Sequence, residues 1–392
     1  MTNLNFLEAR NDIVKRLFLS IKGQITIQHV LFCLCFERLK TIEMRMDMDN
    51  PLNICFVSIG ANGSAISADM ITSGIDMTCY DPWPSHVETI QKDGLRIQLP
   101  DETKTQTIPI YHLCELAERA EPFDIIFMAS KSYDTKWITE LIKPHLAEDG
   151  ILVSLQNGMT TDDICQIISE ERVLSCVVEL SCELFTPGQI KRNTPNKKTW
   201  FAIEHKNNSH LPIIFEMLKH AGTVVKVDDI QSAKWMKLLV NSMSLGPFAI
   251  LGRPVQEGLN TTGMRELILK IGEETQKIGD MLGFTPYPIM GLSEREVNTA
   301  NDLPALLMDT LAGHIGPSAQ DCILQDFVRG RRTEIETING FIVGKAKEAG
   351  IEAPYNQAII EMGQKIKQKE LDLGLDNVEH LAALMSKYSS DR

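Results

Sequence analysis

The stretch Ile54-Cys-Phe-Val-Ser-Ile-Gly-Ala-Asn-Gly-Ser64 decides the fold, because an apolar strand leads through a turn of small residues into helical spacing. The turn matches the dinucleotide-binding pattern G-x-G-x-x-G, with Ser58 in place of the first glycine. Free N–H groups at the start of the helix can hold a pyrophosphate. Gly60 would let phosphate approach the backbone, and Gly63 would let helix and strand pack closely. The predicted cofactor contacts in this turn are Ser58, Gly60, Ala61, Asn62 and Gly63.

An acidic residue ends the next predicted strand. Asp81 lies 21 residues after Gly60, where a carboxylate can bind both hydroxyls of the adenosine ribose. The same charge repels a 2′-phosphate, so the sequence predicts NAD(P)H as cofactor with NADH favoured. The alternative interpretation is an ordinary glycine turn and a solvated aspartate, because glycine motifs alone give many false matches.

Strand and helix signals alternate up to about residue 228, after which only helical spacing remains. Further strands are predicted at 77–80, 123–129, 151–155, 173–178, 199–203 and 223–227. Helices are predicted at 65–73, 84–92, 135–146, 162–169, 232–250, 263–282, 302–312 and 333–349. This order predicts a doubly wound, mostly parallel α/β sheet followed by an all-helical C-terminal domain. The expected divisions are an arm at 1–50, a dinucleotide-binding domain at 51–228 and a helical substrate and dimerisation domain at 229–392.

Composition excludes several classes of protein. A length of 392 residues exceeds one comfortable hydrophobic core, and 43% hydrophobic with 23% charged residues indicates a folded chain. The net charge of −13 repels a phosphate backbone and argues against general nucleic-acid binding. The nine cysteines include no CxxC pair, so neither a disulfide framework nor a metal site is predicted.

The first 50 residues differ from the remainder and are interpreted as an appended arm. Their apolar run at 30–36 is too short to cross a bilayer, and its charged flanks do not match a signal peptide. We therefore expect a cytoplasmic protein without a membrane partner. Met44, Met46 and Met48 precede the first strand, which raises the hypothesis that translation begins there; the alternative is an amphipathic docking helix.

Two polar motifs follow predicted strands and therefore lie at the ligand-binding edge of the sheet. Lys131, in Lys-Ser-Tyr-Asp-Thr135, could offer charge to a phosphate or carboxylate. Asn157, in Leu-Gln-Asn-Gly158, could offer an amide to the nicotinamide or the substrate. The plain alternatives are a surface lysine and a simple Asn-Gly turn.

Two later motifs carry candidate proton chemistry. Lys237 and Asn241 are four residues apart on a mostly apolar predicted helix, so both point to one side. Such a lysine is a candidate proton donor to a carbonyl oxygen, although a snorkelling lysine is the plainer interpretation. Glu334 opens another helix, where it could orient a substrate hydroxyl, pair with Lys237, or serve only helix-start electrostatics.

With these motifs in order, residues 53–370 resemble the ketopantoate reductase (2-dehydropantoate 2-reductase) family. The resemblance rests on the glycine turn, the Lys131 and Asn157 motifs, residues 234–241, and residues 324–340. It implies a Rossmann-type domain followed by a helical domain of the 6-phosphogluconate dehydrogenase C-terminal type, with the active cleft between them. It also implies reduction of the ketone of 2-dehydropantoate by hydride from a nicotinamide cofactor, usually NADPH.

The resemblance implies a role for each matching residue. Lys237 resembles the general acid that protonates the developing alkoxide, and Glu334 the carboxylate that orients substrate and lysine. Asn241 resembles a substrate hydrogen-bond donor, Asn157 the amide near nicotinamide and substrate, and Lys131 a cation on the cofactor side. Hydride transfer builds negative charge on the ketone oxygen, which such a cationic donor stabilises.

Two positions depart from the family pattern in the substrate region. Leu245 stands where the family commonly has a second asparagine, and Cys322 stands where it commonly has a substrate-contacting serine. A related small anionic 2-oxo acid is therefore an expected substrate beside 2-dehydropantoate. The alternatives are a catalytically weak or inactive NAD(P)-binding redox sensor and another two-domain hydroxy-acid or opine dehydrogenase. A homodimer is implied only by the family.

Overall fold

The computed structural model describes residues 52–316 and 318–390. The predictions for residues 1–50, including the appended arm and the start near Met44, lie outside this range. The strands are β1 (Ile54–Val57), β2 (Thr78–Asp81), β3 (Leu95–Gln98), β4 (Thr103–Gln106), β5 (Ile110–His112), β6 (Phe123–Met128), β7 (Leu146–Ser154), β8 (Val173–Glu179), β9 (Cys182–Thr186), β10 (Gln189–Arg192), β11 (Trp200–Glu204) and β12 (Thr223–Val227). The α-helices are α1 (Ala61–Thr72), α2 (Pro84–Asp93), α3 (Thr135–Ile142), α4 (Thr161–Cys165), α5 (Leu211–Lys219), α6 (Ile230–Ala249), α7 (Val255–Leu259), α8 (Met264–Met281), α9 (Glu294–Thr299), α10 (Leu303–His314), α11 (Cys322–Val328), α12 (Ile335–Glu348), α13 (Pro354–Lys367) and α14 (Asn377–Ser390).

An eight-stranded sheet in the order β12-β11-β8-β7-β6-β1-β2-β5 organises the first part of the chain. The six strands from β8 to β5 run parallel to one another, and β11 and β12 run antiparallel to β8 at one edge. Every residue of β1 is buried, as expected for a parallel strand covered on both faces by helices. The prediction of a doubly wound, mostly parallel sheet is confirmed.

A second, smaller sheet was not predicted from the sequence. Its order is β4-β3-β10-β9, and it joins β3 to β10 in parallel although they lie about 90 residues apart in the chain. Three of its strands have only four residues, and β4 is largely exposed, so no sustained apolar pattern marks them. The predicted helix at 135–146 also ends early, because Pro144 lies in a 3-10 turn at Lys143–His145 and β7 starts at Leu146.

From Ile230 onward every regular element in the described residues is helical, as predicted. The 20-residue helix α6 is buried along almost its whole length and packs against α8, α11 and α12. Close contact with α8 depends on glycine, because a Cβ at Gly272 would collide with Met243, and one at Gly279 with Trp235. This packing holds α6 rigidly beside the carboxyl edge of the sheet. No helix in the described range is both long enough and apolar enough to cross a bilayer.

Candidate active site

A cavity of about 980 Å³ lies where the carboxyl ends of the parallel strands face α6, α11 and the start of α12. This is the edge at which doubly wound sheets bind ligands. The predicted site residues that line it are Ser58, Gly60, Ala61, Asn62, Asp81, Lys131, Asn157, Lys237, Asn241, Cys322 and Glu334. Gly63 is the one predicted residue that does not line the cavity. The structure therefore brings motifs nearly 280 residues apart in sequence into one space.

The two glycines of the turn differ in the space around them, since Gly60 has free space beside it and Gly63 is tightly packed. A Cβ at Gly60 would meet nothing within 4 Å, whereas a Cβ at Gly63 would lie 2.9 Å from the Ser58 carbonyl oxygen. Gly60 caps α1 without any side-chain capping bond, and Gly60, Ala61 and Asn62 at the start of this helix line the cavity. Ser58 adopts a left-handed φ of 62°, and its N–H donates to the Tyr80 carbonyl oxygen at 2.7 Å. This arrangement fits the backbone cradle that a dinucleotide pyrophosphate requires.

Asp81 is buried at the end of β2, beside Trp83 and two arginines from the helical part. Its Oδ1 accepts a hydrogen bond from the Trp83 N–H at 2.8 Å. The guanidinium groups of Arg329 and Arg331 lie 4.1 and 5.4 Å from the centre of the Trp83 ring. Burial raises the pKa of Asp81 to about 6, against the opposing effects of the Trp83 N–H and the two arginines. The carboxylate is therefore mostly charged at neutral pH and becomes neutral in mild acid.

Lys131 joins the sheet to the helical part through two carboxylates. Its Nζ lies 2.8 Å from Asp326 Oδ2 and 3.0 Å from Glu334 Oε2, and Glu334 Oε1 accepts from both the N–H and the Oγ of Ser132. Burial alone would lower the pKa of Lys131, but the charges of Glu334 and Asp326 hold it well above its ordinary value. Burial also opposes ionisation of Glu334, yet Lys131 and Ser132 hold its pKa below the usual value. The predicted cofactor-side cation thus has most of its charge neutralised by protein groups.

Lys237 pairs with a carboxylate that the sequence analysis did not select. Its Nζ lies 2.7 Å from Glu179 Oε1 at the end of β8, and the two side chains are only 9% and 18% exposed. The expectation that Glu334 pairs with Lys237 is wrong, because Glu334 opens α12 on the side facing Lys131 and Ser132, which occupy both its oxygens. Asn241, one turn after Lys237 on α6, is buried and lines the same cavity.

The Asn157 loop is held by the protein on both sides. The Asn157 amide accepts from the Val178 N–H at 3.2 Å and donates to the Val178 carbonyl at 3.1 Å, which leaves one Nδ2 hydrogen for a ligand. Lys234, fully buried on α6, donates to the carbonyl oxygens of Gln156 and Gly158 at 2.8 and 3.1 Å. Burial lowers the pKa of Lys234 to about 8. Asn157 and Lys234 together fix this loop at the cavity wall.

The two positions that depart from the family pattern both lie on the cavity wall. Leu245 and Cys322 both line the cavity and both pack against the hydrophobic core of the helical part. Cys322 Sγ lies 3.9 Å from Glu334 Oε2, and burial raises its pKa to about 12. Burial therefore favours the protonated thiol at neutral pH, and the thiol is a weaker nucleophile than the thiolate.

Sequence reasoning missed Glu179, Ser132 and the structural role of Lys234. Glu179 ends a buried strand, as Asp81 does, and the rule that ligands bind at carboxyl ends of parallel strands could have selected it. Lys234 carried a signal as well, since it lies among apolar residues on a predicted helix. Ser132 carried none, because its contact with Glu334 spans 202 residues.

Comparison with known proteins agrees with this arrangement. Residues 54–204 match the family model described as ketopantoate reductase PanE/ApbA, and residues 229–367 match the model of its C-terminal part. A 2-dehydropantoate 2-reductase from Archaeoglobus fulgidus is 24% identical over 306 residues, covering 77% of this chain and 94% of the relative.

Solved structures share the fold over most of the chain. A PanE/ApbA family ketopantoate reductase from Ralstonia eutropha JMP134 is 23% identical with a TM-score of 0.69, over 81% of this chain and 99% of that chain. A ternary structure of D-mandelate dehydrogenase with NADH and anilino(oxo)acetate is 20% identical with a TM-score of 0.70, again over 81% and 99%.

Proposed function

Since the chain belongs to the ketopantoate reductase family, we propose that it reduces the ketone of 2-dehydropantoate or a related small 2-oxo acid to the 2-hydroxy acid. The observation that carries the proposal is the position of Lys237. Its ammonium group lies in the same cavity as the open Gly60 turn, with Asn241 one helical turn away. A proton donor and a dinucleotide cradle facing one space are what carbonyl reduction requires.

Each cavity residue has a separate role in the proposed reaction. The turn at 58–63 would hold a reduced nicotinamide cofactor, which would supply the hydride. As negative charge builds on the ketone oxygen, Lys237 stabilises it and donates a proton. Asn241 donates a hydrogen bond to the substrate, and the remaining Asn157 N–H reaches the nicotinamide or the substrate. Glu334 acts through Lys131 and Ser132, which its oxygens bind, and so holds the cavity wall in place.

The same proposal assigns each part of the chain. Residues 51–228 bind the cofactor, and residues 229–392 supply the substrate side and the surface for a homodimer. Burial of Asp81 at the end of β2 supports a preference for NADH, because a carboxylate there accepts the ribose hydroxyls and repels a 2′-phosphate.

The test is the loss of NADH or NADPH absorbance with 2-dehydropantoate and a panel of 2-oxo acids. Lys237→Ala should lower kcat by at least about a hundredfold, the lower range for a general acid, and leave cofactor affinity nearly unchanged. Lys270→Ala is the matched control, because Lys270 forms an exposed ion pair with Glu266 on α8, outside the cavity. Full activity in Lys237→Ala would refute the assignment. Cofactor binding without turnover of any 2-oxo acid would favour a redox sensor.

A further inference from the structure

Glu179 is a cavity carboxylate to which no role has been assigned. It is the last residue of β8, and its backbone pairs with Trp200 of β11, so the sheet fixes its position. Its Oε1 lies 2.7 Å from Lys237 Nζ, and both side chains are largely buried while lining the cavity. This is the one ion pair that Lys237 makes within the described part of the chain.

Other carboxylates of this cavity wall are already engaged elsewhere. Both oxygens of Glu334 bind Ser132 and Lys131, and Asp326 also binds Lys131. Glu179 is the acid that lies at ion-pair distance from the ammonium group of Lys237. A lysine side chain is a flexible four-carbon stem, so without such a partner its ammonium group would sample many positions in a cavity of this size.

We propose that Glu179 is a positioning residue that holds the Lys237 ammonium group facing the reacting carbonyl; this inference rests on the proposed reductase function. An ammonium group has three N–H donors. Glu179 Oε1 accepts no hydrogen bond from the described residues, so its contact with Lys237 is one of charge and leaves the N–H donors of the ammonium group for the ketone oxygen. The ion pair therefore does not have to break when substrate binds. Glu179 then sets the direction from which Lys237 approaches the substrate.

The proton step balances without a further reactant. As the carbonyl carbon becomes saturated, its oxygen takes a proton from Lys237 Nζ and forms the new O–H bond. The electron pair of the broken N–H bond stays on the nitrogen, which becomes a neutral amine. Lys237 regains its proton from water before the next cycle, which restores its ion pair with Glu179.

A double-mutant cycle separates positioning from simple support of the fold. Glu179→Gln is made in the native chain and in the Lys237→Ala chain, and kcat, KM and the melting temperature are measured for all four proteins. Glu204→Gln is the matched control. Glu204 ends the neighbouring strand β11, is 14% exposed and pairs with Lys206 at 3.1 Å, but does not line the cavity.

We expect Glu179→Gln to lower kcat only when Lys237 is present. In the native chain Glu179→Gln lowers kcat at least about tenfold and changes KM less than threefold, while in the Lys237→Ala chain it lowers kcat less than twofold. Glu179→Asp, which keeps the charge but shortens the side chain, should retain more activity than Glu179→Gln. Equal losses in both backgrounds would show that Glu179 only supports the fold, and native kcat in Glu179→Gln would overturn the proposal.

A second readout does not depend on turnover. A short pulse of acetic anhydride, followed by peptide mass spectrometry, measures the reactivity of Lys237. In Glu179→Gln, Lys237 loses its carboxylate partner, and we expect its acetylation to rise several-fold because an amine without such a partner reacts faster. In Glu204→Gln the acetylation of Lys237 should not change. Unchanged labelling would overturn the inference. Raised labelling in a protein inactive on every 2-oxo acid would sustain the contact and instead reject the proposed reaction.

Discussion

One added methyl group at Gly60 is expected to weaken dinucleotide binding and leave the fold intact. A Cβ there would meet no atom within 4 Å, but φ of −58° with ψ of −152° lies outside the regions that alanine prefers, so the free energy of unfolding should fall by about 1 kcal/mol. The methyl group would instead occupy the space through which phosphate approaches the backbone. We expect at least about a tenfold loss of NADH affinity, or about 1.4 kcal/mol.

The same substitution at Gly63 is the matched counterpart. Its Cβ would lie 2.9 Å from the Ser58 carbonyl oxygen and 3.2 Å from Phe56 Cε1, closer than ordinary van der Waals contact. The backbone oxygen cannot move unless the whole turn moves. Overpacking of this kind costs about 1 to 3 kcal/mol, so Gly63→Ala should lower stability as well as cofactor affinity.

Calorimetric titration with NADH and urea unfolding followed by circular dichroism measure both effects on the same samples. Gly60→Ala with native affinity would refute the reasoning, because phosphate could not then pass close to that backbone. A stable Gly63→Ala would show that strand β1 and helix α1 are not in close contact.

Three further predictions concern charges and backbone conformation. Ser58→Gly should raise the free energy of unfolding by about 1 kcal/mol, because it relieves a left-handed φ and removes a buried hydroxyl that has no partner among the described residues; urea unfolding measures this. Lys131→Met should lower that free energy by about 3 kcal/mol at pH 7 by leaving Asp326 and Glu334 unpaired. The loss should shrink at pH 5, because burial raises the pKa of Asp326 and the unpaired acid takes up a proton, and equal losses at both pH values would contradict this. The pKa of Asp81 is about 6, so lowering the pH from 7.5 to 5.5 protonates most of it and should raise kcat/KM for NADPH relative to NADH. Asp81→Asn should weaken that pH dependence in steady-state assays, and an unchanged dependence would contradict this.

Local patterns predicted the main sheet and the helical part because their elements are long or apolar. The residues of strand β6 and of helix α6 are enough to indicate a strand and a helix, without knowledge of what these elements pack against. The small sheet has no such local sequence pattern. Its strands β3 and β10 are short, and they are stabilised by pairing with each other although they lie far apart in the chain. The helical spacing continues through Pro144 to Leu146, so periodicity alone predicts a helix that is too long.

The sequence predicted which residues line the candidate site, but not which of them form ion pairs with one another. The rule that ligands bind at carboxyl strand ends selected Lys131 and Asn157, and helical spacing paired Lys237 with Asn241. Which carboxylate meets which lysine depends on how α6 and α12 lie against the sheet. Glu179 and Lys237 are 58 residues apart, and local spacing carries no information about that contact.

The bridge from Lys131 to Glu334 also has a consequence for folding cooperativity. It joins residues 203 apart in the chain, and the Leu184 backbone makes two similar links, to Gln325 and Arg329, over 141 and 145 residues. Contacts of such high contact order form late, after the sheet and the helices have condensed separately. Once the first has formed, the others close with little further loss of chain entropy. The sheet part and the helical part should therefore unfold together in a single thermal transition.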